Sequence, residues 1–379
     1  MWRRGRSSGR LYEKERQVRT KEKNLDVGAA AGVPFRQRTS IRSLASALGV
    51  PKSTMHKRIK EGVMRPTSNP VKPFLTDANK LSRLQHCISM LDPASFGGAP
   101  EFKGMFDTIH IDEKWFYMSR TSNRYYMLPE EEEPHRTCKS KRFITKVMFL
   151  AAVARPRWDS SRNQYFDGKL GIFPFVVEEE AKRKSKNRPA GTIETKAIVS
   201  VTKTEYRDAL INQLLPQIQS KWPNRPRGPI WLQQDNAKPH IDQNDVSFKS
   251  AVSGTGLDIR LTNQPPNSPD LNVLDLGYFR AIQSLQHQQA PTTIDELIAA
   301  VKQSFNDLSR EKLNSVFLSL QQCMIEIMKV SGGNNYKQPH MGKEKLQREG
   351  LLPTTLTLDS EILSNVRGQF PGLFGNLEV

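Results

Sequence analysis

The chain has 379 residues, 37% of them hydrophobic and 25% charged, with a formal net charge of +18. Its longest uninterrupted apolar run, "VMFLAAVA" at 147–154, is far short of the ~20 residues a membrane helix needs, and the N-terminus, basic but followed by no apolar stretch, does not read as a secretory signal. Three widely spaced cysteines, Cys87, Cys138 and Cys323, support neither a disulfide framework nor a zinc site and fit a reducing intracellular compartment.

The charge is concentrated at one end, where residues 1–75 hold 18 Lys and Arg against five Asp and Glu. Lys and Arg neutralise phosphates and release condensed counter-ions, so nucleic acid is the expected partner. Residues 1–33 are basic and without periodic pattern, and are expected to be disordered. Residues 34–65 differ. In "TSIRSLASALGVPKSTMHKRIKEG" at 39–62, Thr39 or Ser40 can cap a helix with Ile41, Leu44, Ala45 and Leu48 at helical spacing, and Gly49 stops it. Pro51 suits the first turn of a second helix with Met55 and Ile59 inward. Arg42, Lys52, Ser53, Thr54, His56, Lys57 and Arg58 are then candidate DNA contacts of a helix-turn-helix, whose second helix enters the major groove. An ordinary helical hairpin has the same pattern; the basic face favours DNA.

Residues 66–104 read as a Pro- and Ser-rich linker followed by a connecting helix at about 77–91. From about 105 strands are predicted at 107–116, 124–128, 143–154, 229–234 and 257–261, with a helix at 204–219. This order indicates an α/β domain with a mixed sheet over 105–305. The Lys-rich stretch at about 155–200 reads as a surface insertion, and 306–379 as a helical segment and tail with a helix at 311–329.

Three aspartates stand out in this domain. In "DTIHIDEKWF" at 107–116 alternation puts Ile109 and Ile111 on one strand face, and His110 and Asp112 on the other; Glu113 has the parity of the isoleucines. Asp235 closes the strand "PIWLQQ", where open α/β sheets place ligands. Asp275 falls within the stripe Leu271, Leu274, Tyr278, Ile282 and Leu285 of a helix that Ser268 would cap and Pro269 would start. A charge on a core-facing stripe is costly unless paired or metal-bound. Asp270, off the stripe in the first turn, is accounted for by the helix dipole. Each acid alone suits a solvated or salt-bridged position. Together they suggest a divalent metal site, since Mg2+ prefers carboxylate oxygens and two such ions can drive phosphodiester displacement.

"HIDEKWFY" at 110–117, "QQDNAKPH" at 233–240 and "QPPNSPDLNVLDLGYFRAIQSLQ" at 264–286 resemble the three acid-bearing motifs of mariner-like transposases, over roughly residues 34–305. Between Asp235 and Asp275 lie 39 residues, the spacing of the plant-type branch; the gap to Asp270 is 34, the animal spacing. In the family the third acid follows the "SPDL" segment, which selects Asp275. The resemblance implies a ribonuclease H-like fold with Asp112, Asp235 and Asp275 as catalytic, metal-binding residues for Mg2+, two ions, with Mn2+ as a substitute. It implies cleavage at terminal inverted repeats of double-stranded DNA, attack of the freed 3′-hydroxyl on target DNA at TA, and a homodimer or larger assembly. Asn236 and His240 could orient a phosphate or water, or simply build the turn after the strand. "KRKSK" at 182–186 reads as a nuclear import signal or a phosphate contact, and the nucleus is the expected location. The family commonly carries two helix-turn-helix units; only one is recognisable here. Two classes of function follow, a cut-and-paste transposase and a catalytically silent, transposase-derived DNA-binding protein.

Overall fold

The computed structural model describes residues 27–67, 71–119, 144–184, 188–223, 228–338 and 340–374, with positions 128, 130–132, 135 and 140. The tail at 1–26, most of the strand expected at 124–128, Cys138 and part of "KRKSK" lie outside the described residues. The chain divides into two compact units at residue 71.

The first unit contains α1 (Val27–Gly32), α2 (Ile41–Ala47) and α3 (Lys52–Lys60). Ser40 starts α2 with a reciprocal capping box to Ser43, which satisfies two backbone donors that no helical carbonyl can reach. Gly49, at φ +61°, takes the left-handed turn that ends it. Pro51 stands just before α3, as its N-cap rather than inside its first turn. Leu44, Ala45 and Met55 form the core with Val33. Ile59, expected inside, is half-buried.

The second unit opens with α4 (Asp77–Ser89). Strands β1 (Thr108–Tyr117), β2 (Lys146–Ala154), β3 (Arg157–Asp159), β4 (Gln164–Phe166), β5 (Lys169–Pro174), β6 (Val176–Glu180) and β7 (Ile193–Ala197) follow. Next come α5 (Lys203–Asp208), a π turn (Ala209–Leu214) and α6 (Leu215–Lys221), together replacing the single helix expected at 204–219. Then β8 (Ile230–Gln234), α7 (Val246–Thr255) and β9 (Ile259–Asn263) lead to α8 (Phe279–Gln286). Helices α9 (Ile294–Asp307), α10 (Arg310–Lys329), α11 (Lys343–Arg348) and α12 (Ser360–Gln369) complete the unit.

Five strands form the main sheet in the order β5-β2-β1-β8-β9. The β1–β2 and β2–β5 pairs are antiparallel, and the β1–β8 and β8–β9 pairs parallel. Both faces are covered. Ile109 and Ile111 pack with Tyr206, Leu210, Ile218 and Phe248 on one side. Phe116 and Phe149 pack with α4, α9 and α10 on the other, through Leu84, Val301 and Phe317 among others.

Two boundaries move. Residues 155–200, expected as an insertion, contain β5, an edge strand of the main sheet; the β3–β4 and β6–β7 hairpins, separate two-stranded ribbons, retain that character. The connecting helix α4 and the C-terminal helices belong to the core of the second unit, because Leu84, Cys87, Ile88, Met324 and Val366 are buried in one cluster.

Candidate catalytic site

Parallel pairing of β1 with β8 sets His110 opposite Gln233. Two residues further along the chain stand Asp112, in the middle of β1, and Asp235, the residue that follows the end of β8. Opposite Asp112 on β2 lies Ala151, whose small side chain leaves the acid room. Asp112 accepts a hydrogen bond from the backbone of Glu113 at 2.8 Å and from the Asn272 side chain at 3.3 Å. Burial, and then the negative charges of Asp275, Glu113 and Asp235, push its carboxyl up to about 9. Asp275 and Asp235 are thus both within electrostatic reach of Asp112.

Asp235 is tied down by a histidine. Its Oδ1 accepts from the backbone of Ala237 at 2.8 Å and lies 2.9 Å from His240 Nδ1. The other ring nitrogen of His240 is 3.0 Å from Glu113 Oε2. Burial alone would lower the imidazole, but hydrogen bonds to Asp235 and Glu113 carry it up to about 10, so both ring N–H groups donate at neutral pH. Tyr206 stacks on the ring, with centroids 4.3 Å apart and planes 18° off parallel. Its hydroxyl donates to Gln234 at 3.0 Å. Asn236 donates its side-chain amide to the Gln264 carbonyl at 2.8 Å, joining the ends of β8 and β9. Glu113→Gln removes one negative acceptor, and the His240 pKa is expected to fall by at least about one unit. Ring NMR titration measures this, and an unchanged midpoint would refute the clasp.

The third segment is not one helix. A 3-10 turn at Pro269–Leu271 stops at Asn272, which is extended, and a π turn at Leu274–Tyr278 then leads into α8. Ser268 occupies the N-cap position, yet its hydroxyl donates to the Pro266 carbonyl and does not cap. Leu271, Leu274, Tyr278 and Ile282 are buried as expected, but Asp275 is not on their stripe. The π turn shifts the phase of the residues it holds and leaves Asp275 exposed, 3.3 Å from Lys114 Nζ. Asp270 is also corrected. Both of its oxygens pair with the fully buried Arg83 of α4, at 2.7 and 2.8 Å, and Tyr336 adds its hydroxyl.

Sequence reasoning passed over Glu113, Lys114, Asn272 and Tyr206. The signal for Glu113 was present: a carboxylate on an apolar strand face must be paired, the argument that had been applied to Asp275.

The acid cluster suits a hard divalent cation in its chemistry. It offers oxygen donors and mutually repelling negative charge, which a cation would relieve. As placed, Asp235 is turned onto His240 and Asp275 onto Lys114, and among the described residues no group of three His, Cys, Asp or Glu is set to hold an ion.

On the first unit, Arg42, Lys52, Ser53, His56 and Lys57 are exposed, while Thr54 and Arg58 are half-buried. Arg58 pairs with Glu61 at 2.9 Å. Met55, fully buried, fixes the side of α3 that turns away from these residues.

No protein-family model and no curated protein sequence matches the chain. Solved structures do. A pre-cleavage Mos1 transpososome superposes with a TM-score of 0.54 at 15% identity, covering 85% of this chain and 83% of that one. The Mos1 strand transfer complex gives 0.53 at 14%, covering 85% and 82%. The mariner Mos1 paired end complex with Mg gives 0.53 at 16%, covering 87% and 85%. The fold is ribonuclease H-like, a mixed sheet between helices, with a small helical region before it. These three solved structures are of the mariner transposase Mos1.

Proposed function

We propose that the chain is a mariner-like DNA transposase of the plant-type branch, which binds terminal inverted repeats, cleaves beside them and joins the 3′-hydroxyl ends to target DNA at TA. The observation that supports this reading is the placement of Asp112 on β1 and of Asp235 just past the end of the neighbouring parallel strand β8, with Asp275 within electrostatic reach of Asp112, in this fold. Asp112, Asp235 and Asp275 would hold two Mg2+ ions, or Mn2+ in their place. Such ions activate an attacking oxygen and stabilise the leaving one in displacement at phosphorus. The chain's own part is to fix the acids. β1 and β8 set two of them, His240 and Glu113 orient Asp235, and Asn272 steadies Asp112.

The basic face of α3, with Lys52, Ser53, His56 and Lys57 outward, is the proposed reader of the repeat, entering the major groove. The Mos1 structures it resembles include a paired-end complex with the left transposon end, which supports double-stranded DNA as partner and a paired, at least dimeric, assembly. Action on chromosomal DNA would place the protein in the nucleus.

The test is a magnesium-dependent cleavage assay on DNA carrying the flanking terminal repeat, comparing the intact protein with Asp235→Ala. Nicking at the repeat that requires the metal and vanishes in the variant is the expected result. Sequence-specific binding with no cleavage by either protein, in Mg2+ or Mn2+, would instead assign a catalytically silent DNA-binding protein.

A further inference from the structure

Lys114 has no place in the motif reading, yet it stands inside the acid cluster. Alternation along β1 puts it on the face of Asp112, two residues on. Its ammonium lies 3.3 Å from Asp275 Oδ1 and 5.4 Å from the centroid of the Phe279 ring. One strand thus supplies both an acid and, one pleat further, the cation that neutralises the acid facing it.

Two aspartates five residues apart show two kinds of pairing. Asp270 is gripped at both oxygens by a buried guanidinium, and withdrawing it would strand the Arg83 charge in the core. Asp275 meets a single ammonium, and the side chains of Lys114 and Asp275 are 37% and 30% exposed. A half-solvated pair of that kind is weak. An ammonium is also a point charge on a flexible stem, with no fork geometry to hold it in place. The first pairing is permanent, and the second can be exchanged.

The charges around the site agree. Glu113 and Asp235 share His240, and Asp275 has Lys114. A divalent cation that takes Asp275 competes with the ammonium, because both seek the same carboxylate.

Building on the catalytic reading above, we propose that Lys114 is the resident counter-ion of Asp275: it holds the third acid in the ion-free protein, yields it to the divalent cation, and moves to a phosphate of the bound DNA. No bond is made or broken in this step; one ion pair is exchanged for two others.

The experiment is calorimetric titration of Mn2+ into the full-length protein without DNA, for wild type, Lys114→Met, Lys114→Arg and Asp112→Asn, with melting curves to confirm folding. Removing the competing ammonium should tighten Mn2+ binding roughly two- to fivefold in Lys114→Met. Lys114→Arg, which keeps the charge, should bind as wild type does. Single-turnover cleavage by Lys114→Met at saturating Mn2+ should fall about tenfold or more, for want of the phosphate contact. Lys114→Gln replaces Lys114→Met if the latter does not fold. Mn2+ binding that is lost in Asp112→Asn but unchanged or weaker in Lys114→Met overturns the counter-ion role alone. Binding that survives intact in Asp112→Asn overturns the catalytic reading, and this inference with it.

Discussion

Asp112→Asn is expected to raise the melting temperature of the ion-free protein while abolishing cleavage. The carboxyl is held up to about 9 by burial and by the charges of Asp275, Glu113 and Asp235, against an ordinary value of 3.8. A carboxyl raised in the folded state costs stability once the unfolded chain ionises. The cost starts near pH 3.8, grows as pH climbs towards 9 and is constant above that. An amide of the same shape removes it. The gain should be on the order of 1–3 kcal/mol near pH 8, with each kcal/mol moving the midpoint by about 2–4 °C, and should almost vanish at pH 4. Thermal unfolding of both proteins in chelator at the two pH values measures this; equal shifts at both would sink the electrostatic account. The loss of metal-supported chemistry should exceed about 10³-fold in single-turnover cleavage.

Arg83→Ala should be the most damaging substitution outside the acid cluster. The guanidinium is fully buried, donates through Nε to the Gly332 carbonyl at 2.9 Å and takes both oxygens of Asp270. Truncation leaves the Asp270 carboxylate inside the fold with no cation, at a cost of about 3–5 kcal/mol. Lysine should not rescue it, lacking the bidentate fork. Burial would raise the Asp270 carboxyl, but Arg83 lowers it below 3.8. Its stabilisation is therefore complete above pH 3.8 and lost as pH falls through the lower folded value, so the deficit of the variant should shrink in acid. Urea unfolding of the full chain near pH 7 and about pH 2 tests both parts, and a loss under about 1 kcal/mol at pH 7 would contradict the account. The helix-dipole explanation of Asp270 gave no sign of this partner.

What the sequence made legible was local and periodic. Alternation located β1 and β8, and with them the placing of Asp112 and Asp235, because a period of two leaves no choice of face. Caps and glycine located α2 and α3, since Ser40 and Gly49 act within a few residues of themselves. Three things were hidden. The short β5, with Lys169 and Gly171 inside it, lacks a clear alternating pattern, and its pairing with β2 identifies it as sheet. The helical stripe through Asp275 assumed one uninterrupted helix, and the break at Asn272 with the π turn after it voids that phase. Arg83 and Asp270 are 187 residues apart; no pattern in a single sequence announces such a partner.

The parallel pairing of β1 with β8 bears on how such chains can diverge. The first two acids each stand two residues beyond His110 and Gln233, the last pair of the backbone ladder, a lattice that evolution cannot shift without unzipping the sheet. The third acid arrives on an irregular connection after β9, outside that lattice. Residues can be gained or lost in the stretch between β8 and the π turn while the ladder stays in register. The 39-residue interval is then the length of a connection that can vary while the separation across the sheet cannot.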